Sequence, residues 1–256
     1  MLGLACGRRR EWLIAHGDET LPAAAAQQFA ALVARRRQGE PLAYLLGERE
    51  FFSRPFRVGP AVLIPRPETE ALAQWAIDHA PAGSRLLDLG TGSGALAITV
   101  ALERPDLSVT ATDLSAEALE IARHNAGTLG AQVTFYQGSW WDAIPAGLPR
   151  WATIISNPPY IRAGDAHLEQ GDLRFEPDMA LVAGRDGLDA IDQILARVDN
   201  HLLDGGSIAF EHGFDQAAAV TVRLADHGFI GLWTLTDDQG LDRLTGGQSP
   251  VAGSVV

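Results

Sequence analysis

The sequence predicts an α/β protein with a doubly wound, mostly parallel β-sheet, preceded by a small helical domain. From residue 85 to residue 236, short apolar segments alternate with segments of helical periodicity, which is typical of a parallel sheet covered by helices. A glycine-rich stretch follows the first of these apolar segments, as in folds that bind ligands at the ends of strands. Residues 1–46, in contrast, have the Ala-rich pattern of helices.

The first 67 residues are expected to form helices and then a hairpin. Pro22 is suited to open a helix, and an Ala-rich helical pattern follows it. In residues 47–67, two short aromatic segments flank Ser53-Arg54-Pro55, which predicts a turn between two strands. Pro65 and Pro67 then exclude a helix and predict an extended loop.

The main domain is expected to extend over residues 68–256, with strands and helices in alternation. The predicted strands are 85–89, 108–112, 133–136, 152–156, 207–211 and 231–236. The predicted helices are 68–79, one ending at 101, 116–129, 188–203 and 216–227. The segment 231–236 is expected to be the last strand.

Composition limits the class of protein. The net charge is −12, and the acidic main domain disfavours a large duplex-DNA surface, so no direct contact with nucleic acid is expected. The single cysteine, Cys6, excludes an internal disulfide and a Cys-rich metal site, and no metal is expected. No apolar run approaches the roughly 18 residues of a membrane span, and the N-terminus does not resemble a secretory signal. We expect a monomeric cytoplasmic enzyme without a membrane partner.

Residues 88–94, Asp-Leu-Gly-Thr-Gly-Ser-Gly, close the first predicted strand and open a helix. The three glycines allow a ligand to approach the backbone, and the helix N-terminus behind them favours an anionic group. A dinucleotide fingerprint would place its third glycine at position 95, where this chain has the acceptable variant alanine. This loop alone therefore leaves an NAD-dependent dehydrogenase open.

Asp113 ends the second predicted strand. An acid at this place can accept hydrogen bonds from both ribose hydroxyls of an adenosine, in NAD or in S-adenosylmethionine. The alternative is that Asp113 caps the N-terminus of the following helix. The glycine-rich loop before it favours contact with a ligand.

Asn157-Pro158-Pro159-Tyr160 follows the predicted strand 152–156. The two prolines remove two N–H donors, so the turn mainly offers acceptors. The Asn157 side-chain oxygen and a proline carbonyl can bind the two hydrogens of a planar amino group, and Tyr160 can stack on a flat amide or base. Methyl transfer to nitrogen needs such acceptors and hydride transfer does not, so the turn favours S-adenosylmethionine over NAD.

These three motifs, in this order, resemble the class I S-adenosylmethionine-dependent methyltransferases that modify amide or exocyclic nitrogens. Four further segments are similar to the protein-(glutamine-N5) methyltransferases of peptide-chain release factors. They are 49–52 (Arg-Glu-Phe-Phe), 63–70 (Leu-Ile-Pro-Arg-Pro-Glu-Thr-Glu), 174–177 (Arg-Phe-Glu-Pro) and 211–213 (Glu-His-Gly). The resemblance runs from about Gly7 to Thr245. The alternatives are an adenine-N6 nucleic-acid methyltransferase, which the Asn-Pro-Pro-Tyr turn alone would equally suit, and a glutamine methyltransferase acting on a ribosomal protein.

The resemblance implies methyl transfer from S-adenosylmethionine, with S-adenosylhomocysteine as product, to the glutamine of the Gly-Gly-Gln motif of class 1 release factors. It implies a substrate-binding helical domain over 1–46, a hairpin and linker over 47–67, and the methyltransferase domain over 68–256. The implied cofactor-binding residues are Gly90, Thr91, Gly92, Ser93, Gly94, Asp113, Trp140 and Asn157. The implied catalytic residues are Asn157, Pro158 and Tyr160, and these bind the substrate together with Pro159.

The chain departs from the family pattern in three places. It begins later than the family's helical domain, so that domain is expected to be truncated. Ser139 stands where an acid commonly precedes the tryptophan on the adenine side. After Arg243, where the family has a strand, Gly246-Gly247-Gln248 is expected to lie in a short glycine-rich tail. Its match to the substrate motif of release factors is attributed to chance.

Neither of two conspicuous histidines is expected to be a catalytic or metal-binding residue. His167, with Asp165 and Glu169, lacks the helical spacing of a paired metal site and is expected to lie in a polar, substrate-covering loop. His212 ends a predicted strand and is expected to be structural rather than part of the site lining.

Overall fold

The computed structural model describes residues 1–251, so the last residues of the expected main domain, 252–256, lie outside the described part of the chain. The N-terminal region is helical, as the sequence predicts. Its helices are α1 (Leu2–Cys6), α2 (Arg10–Ala15), α3 (Ala23–Arg37) and α4 (Leu42–Leu46). Pro22 directly precedes α3, where its fixed φ is compatible with a helix start. None of the helices within residues 1–251 is long and apolar enough to span a membrane.

The expected hairpin is present, formed by β1 (Glu48–Phe51) and β2 (Arg54–Arg57). The predicted turn at Ser53-Arg54-Pro55 is wrong by one residue, because the turn consists of Phe52 and Ser53. Both have positive φ, 51° and 58°, and this left-handed pair matches the twist of two-residue hairpins. Pro55 lies within β2, where a two-stranded ribbon leaves an open edge that tolerates its missing N–H.

The main domain has the predicted alternation of strands and helices. Its strands are β3 (Arg85–Leu89), β4 (Ser108–Asp113), β5 (Val133–Gln137), β6 (Trp151–Ser156), β7 (Leu202–Glu211), β8 (Ile230–Thr236) and β9 (Asp242–Gln248). Its helices are α5 (Glu70–His79), α6 (Ala95–Glu103), α7 (Ala116–Leu129), α8 (Asp189–Leu195) and α9 (Ala217–Asp226). A 3₁₀ turn, Pro67–Thr69, leads into α5.

The strands of the main domain form one sheet in the order β5-β4-β3-β6-β7-β9-β8. The first five strands in this order are parallel to one another, and β9 runs antiparallel to both β7 and β8. The chain builds outward from β3 to β5 and then returns to the other side of β3 at β6. The order therefore reverses between β3 and β6, which is where such sheets bind ligands.

Apolar side chains cover both faces of the sheet. Successive residues of β3 point to opposite faces, so Leu86 packs in the layer with α5 and α6 while Leu87 packs in the layer with α8 and α9. The side chains in both layers are almost completely buried. Each fully buried Leu or Ile stabilises the fold by about 1.5–3 kcal/mol relative to an exposed one. The hairpin joins the first layer through Phe51 and Phe56, which meet edge to face.

The predicted helix over 188–203 is wrong in its length. The helix α8 ends at Leu195, and the chain then makes a 3₁₀ turn over Val198–Asn200 and enters β7 at Leu202. The apolar residues Val198 and Leu202 continue the helical spacing, but tertiary contacts override it. The His201 carbonyl accepts a hydrogen bond from the Trp151 N–H, so this backbone already belongs to the sheet.

The expected glycine-rich tail is also wrong, because Gly246-Gly247-Gln248 lies in β9, between β7 and β8. Gly246 is needed for close packing in that strand. A Cβ there would lie 2.3 Å from the Trp233 ring and 2.6 Å from the Ile208 carbonyl oxygen. The glycines thus have a structural explanation, which agrees with the view that the match to a substrate motif is accidental.

This packing predicts that Gly246→Ala destabilises the chain. The added methyl has no space next to Trp233, so we expect the free energy of unfolding to fall by about 1–3 kcal/mol or more. Gly127→Ala is the matched control, since Gly127 lies in α7 with nothing near its missing Cβ; it should raise stability by about 0.5–1 kcal/mol. Urea denaturation measures both. Equal stability of the two variants would contradict the packing argument.

Candidate active site

A cavity of about 250 Å³ opens at the carboxyl ends of β3, β4 and β6. Most of the residues that the sequence analysis singled out line it. They are Gly90, Thr91, Gly92, Ser93, Asp113, Trp140, Asn157 and Pro159. Gly94, Pro158 and Tyr160 are not among the lining residues. The cavity also has walls to which the sequence analysis gave no site role, including Pro65, Thr69 and Met179.

The glycine-rich loop forms the floor of the cavity. Gly90, Gly92 and Gly94 have φ values of 76°, 56° and 84°, which other residues rarely adopt. Gly94 also has no room for a side chain, because a Cβ would lie 3.1 Å from that of Ala122. Directly after it, the first residue of α6, Ala95, lines the cavity. The positive end of the helix dipole therefore faces the cavity and favours an anionic group.

Asp113 is held by backbone donors at the edge of the same loop. Its Oδ2 accepts from the Gly92 N–H at 2.8 Å, and its Oδ1 accepts from the Ser115 N–H at 2.9 Å. Burial raises the pKa of this carboxyl, and these N–H bonds oppose the rise. The cap of α7 is Ser115, whose hydroxyl accepts from the Ala118 N–H at 3.1 Å. The alternative that Asp113 is the helix cap is therefore wrong, and its remaining lone pairs are available in the cavity it lines.

Asp88 lies buried beneath the loop, and the sequence analysis gave it no role. The Thr91 hydroxyl donates to its Oδ2 at 2.6 Å, while its Oδ1 has no partner of normal hydrogen-bond length among residues 1–251. Burial raises the pKa of the Asp88 carboxyl to about 7. An acid within an otherwise apolar strand was the signal for such a group. A nearby cation would lower this pKa and so favour the charged form of Asp88.

Trp140 lies beside the glycine-rich loop and lines the cavity. Its ring lies against Gly90, where an added Cβ would meet it at 3.4 Å. The indole Nε1 donates to the Gln193 side-chain oxygen at 2.9 Å, which fixes the ring at the cavity wall. Ser139, the replacement for the family's acid, lines the cavity beside it.

The turn after β6 places an unused acceptor at the cavity. The Ser156 hydroxyl donates to the Leu89 carbonyl at 2.6 Å, which ties the end of β6 to the end of β3. The Asn157 Nδ2 donates to the Thr69 hydroxyl at 3.1 Å, and its Oδ1 is buried without a partner among the described residues. A buried acceptor without a partner destabilises the fold by about 1–3 kcal/mol unless a ligand donates a hydrogen bond to it.

A second, polar cavity of about 190 Å³ is lined by Arg66, Glu68, Tyr160, Glu211 and Arg243. The Tyr160 hydroxyl donates to the Glu211 Oε1 at 3.4 Å. Burial raises the pKa of the Glu211 carboxyl to about 7. Since Arg66 lines both cavities, the two are neighbours.

Residues 161–187, here called the covering segment, close one side of the main cavity. Within the segment, Pro177 and Met179 line the cavity, and Met179 is half exposed. The Arg66 guanidinium binds both carboxylate oxygens of Glu176 at 2.7 Å, and the Glu176 side chain is fully buried. This ion pair joins the covering segment to the loop before α5.

The covering segment also contacts the N-terminal helical region. Arg36 at the end of α3 pairs with Asp172 at 3.2 Å, and Arg174 donates to the Gln38 carbonyl at 2.7 Å. Arg36 is one of three arginines in the last turn of α3, so this basic helix end is partly paired within the molecule. These contacts connect the helical region to the cavity wall through one continuous segment.

The two histidines are not among the residues that line the cavities. His212 is buried, with Nε2 at 2.7 Å from the Thr245 hydroxyl and Nδ1 at 2.9 Å from the Gly213 carbonyl, and it lines neither cavity. His167 lies in the covering segment beside Asp165. Among residues 1–251, no three His, Cys, Asp or Glu side chains come together in a way that could hold a metal ion.

Comparisons with known proteins identify the family and the fold of the chain. The family model "PrmC N-terminal domain" matches residues 1–47, and "Methyltransferase small domain" matches residues 68–172. The release factor glutamine methyltransferase of Neisseria gonorrhoeae is 52% identical over 239 residues, which are 93% of this chain and 88% of that protein. That of Bordetella pertussis is 49% identical over 243 residues, 94% of this chain and 90% of that protein. A solved methyltransferase from Pyrococcus furiosus shares the fold, with a TM-score of 0.59 and 17% identity over 86% of this chain and 98% of that one.

Proposed function

The chain belongs to the release factor glutamine methyltransferase family, and we propose that it methylates the side-chain amide nitrogen, N5, of the glutamine in the Gly-Gly-Gln motif of class 1 peptide-chain release factors. The methyl donor is S-adenosylmethionine, and the second product is S-adenosylhomocysteine. One observation in the site supports this best. Asn157 presents a buried acceptor without a partner, next to a glycine-rich loop that suits an adenosine-linked amino acid.

The residues of the main cavity fit the methyl donor. We assign its carboxylate to the start of α6 and the glycine-rich loop, its ribose to Asp113 and its adenine to Trp140. The assigned loop residues are Gly90, Thr91, Gly92, Ser93 and Gly94. When bound, the donor supplies an electrophilic methyl group on a positively charged sulfur. Burial raises the pKa of both the Asp88 and the Asp113 carboxyls, and a bound sulfonium would favour their charged forms.

The Asn-Pro-Pro-Tyr turn orients the acceptor nitrogen. An amide nitrogen is a poor nucleophile because its lone pair is delocalised into the carbonyl. Asn157 Oδ1 and the Pro158 carbonyl would accept its two N–H bonds and direct the developing lone pair at the methyl carbon. Pro159 lines the main cavity, and Tyr160 lines the neighbouring one. The same acceptors stabilise the positive charge that grows on nitrogen.

The proposed step balances without a strong base. The nitrogen–carbon bond forms as the carbon–sulfur bond breaks, and the sulfur keeps the electron pair of that bond. The methylated nitrogen is cationic and acidic, so it releases one proton to water. The proposal involves no metal.

We assign partner binding to the N-terminal region. Residues 1–46, with the hairpin and linker over 47–67, would bind the release factor away from its Gly-Gly-Gln loop while the main domain, from residue 68, acts on the glutamine. Flanking glycines would let that glutamine enter a narrow cleft without a side-chain clash. We propose that the enzyme acts as a monomer in the cytoplasm. Its substrate is a protein and not a nucleic acid.

The assignment of Asp113 predicts the effect of its removal. Asp113→Ala loses hydrogen bonds to a charged group, so the affinity for S-adenosylmethionine should weaken by about 1.5–3 kcal/mol, measured by calorimetry. Asp106→Ala is the matched control, since Asp106 lies exposed before the other end of β4 and pairs with Arg104. Tight binding of NAD together with no binding of S-adenosylmethionine would contradict the cofactor assignment.

The assignment of Asn157 predicts a loss of turnover without a loss of folding. Asn157→Ala removes an acceptor for the reacting nitrogen, and kcat should fall by about 10²–10³, as for other preorganised polar groups. The melting temperature should change little. Activity within a factor of two of the wild type would show that Asn157 does not hold the amide.

The identity of the acceptor is tested with methyl-labelled cofactor. We expect label on a class 1 release factor, none on its Gln→Ala variant in the Gly-Gly-Gln motif, and none on adenine-containing DNA. An isolated Gly-Gly-Gln peptide should react poorly, because remote contacts of the release factor supply binding energy. Label on the DNA, or undiminished label on the Gln→Ala variant, would refute the proposed function.

A further inference from the structure

We propose that Thr69 and Glu211 are positioning residues that fix the orientation of the Asn157 side-chain amide. They hold its nitrogen in the protein and leave its oxygen for the acceptor nitrogen of the substrate. This inference deepens the proposed function and rests on it for the identity of the substrate. The orientation itself follows from contacts within this chain.

The three residues come from three different elements. Thr69 is the last residue of the 3₁₀ turn before α5, Asn157 follows β6, and Glu211 is the last residue of β7. Thr69 and Glu211 are almost completely buried, so water does not compete for their hydrogen bonds. The Asn157 Nδ2 donates to the Thr69 hydroxyl oxygen at 3.1 Å.

The direction of this bond determines where the Thr69 proton goes. A hydroxyl has one proton, and since its oxygen accepts from Asn157, the proton is free to be donated elsewhere. The Glu211 carboxyl interacts with the Thr69 hydroxyl. Its Oε2 is buried and has no partner of normal hydrogen-bond length among residues 1–251, so it is an acceptor open to that proton. A carboxylate only accepts, so the chain of donors runs from Asn157 to Thr69 to Glu211.

The reversed orientation would be unfavourable in two ways. With the amide turned over, Thr69 would have to donate to Asn157, and the buried Glu211 carboxylate would lose that donor. The Asn157 N–H bonds would then face the N–H bonds of the substrate amide, which offers no hydrogen bond. The buried carboxylate therefore selects the orientation that the proposed reaction needs.

Glu211 also holds the other end of the same turn, because the Tyr160 hydroxyl donates to its Oε1. Its charge state follows from its surroundings. Burial raises the pKa of Glu211 to about 7, the hydrogen bonds from Thr69 and Tyr160 and the charge of Arg243 oppose that rise, and Glu68 adds to it. Arg66 is the remaining charged group that lines the second cavity.

A raised pKa means that the carboxylate exists above about pH 7 and is lost as the pH falls through that value. Protonated Glu211 can donate to Thr69, so the direction of the chain is then no longer enforced. We therefore expect kcat of the wild type to fall as the pH is lowered from about 8 to about 6. In Glu211→Gln, which cannot titrate, kcat should be lower at about pH 8 and should vary less than in the wild type over the same range, the remaining variation coming from Asp88, whose pKa is also raised to about 7.

The role of Thr69 is tested with Thr69→Val, which keeps the shape and removes the hydroxyl, and with Thr69→Ser, which restores the hydroxyl. We expect Thr69→Val to lower kcat by about 10- to 100-fold while the dissociation constant of S-adenosylmethionine changes by less than about twofold. Thr69→Ser should recover most of the lost activity. A folding defect would instead weaken cofactor binding in parallel with kcat and would not be relieved by serine.

A double-mutant cycle separates positioning from general support. If Thr69 acts through Asn157, Thr69→Val should have almost no further effect on kcat in the Asn157→Ala background. An undiminished effect in that background would overturn the proposal, as would Thr69→Val activity within about twofold of the wild type. If kcat of Glu211→Gln depended on pH as strongly as kcat of the wild type, Glu211 would not be a positioning residue.

One readout needs no turnover. The side-chain amide signals of Asn157 in ¹⁵N–¹H spectra of the cofactor-free chain can be identified by their loss in Asn157→Ala. In Thr69→Val these signals should shift and exchange faster with water, and unchanged signals would contradict the orientation. If the wild type fails to label any release factor, the proposed function fails, and this measurement still decides whether Thr69 orients Asn157.

Discussion

The site depends on the position of β3 between two parallel neighbours. Because β3, β4 and β6 run in the same direction, the glycine-rich loop, Asp113 and Asn157 all emerge at one edge of the sheet. Hydrogen bonds beyond the ladder hold these ends in register. The N–H groups of Gly90 and Thr91 both donate to the Thr112 carbonyl, and Ser156 donates to Leu89. The distance between the two assigned substrates is therefore set by the spacing of three strands in a rigid sheet.

The parts of the fold that the sequence predicted correctly are those with local signals. Strands β3 to β6 and helix α7 are bounded by short apolar runs, glycines and caps, so their limits were found to within a residue or two. The errors occur where distant contacts decide. The backbone after α8 pairs with β6 against its helical spacing, and β9 tolerates two glycines because the large side chains of β8 occupy their space. Propensity alone cannot supply either fact.

The site shows the same division. The glycine-rich loop, Asp113 and Asn157 directly follow predicted strands, so their meeting could be expected from a parallel sheet. Their supporting contacts could not, because each joins residues that are far apart in sequence. Asn157 and Thr69 are separated by 88 positions, and Arg66 and Glu176 by 110. The segments that contain these residues were noticed as family motifs, but only the folded chain shows that they contact one another around the two cavities.

The Arg66–Glu176 pair connects the chemistry of the site to the surface that we assign to the partner. A buried ion pair is weak grounds for stability, since desolvation offsets much of its attraction, but it fixes one geometry when both groups are hydrogen-bonded. Here it fixes the covering segment, whose Met179 forms a half-exposed part of the cavity wall. The same segment reaches α3 through Asp172 and Arg174. A protein bound to the N-terminal helices would therefore lie next to the segment that forms one wall of the main cavity, and the same contacts hold both in place.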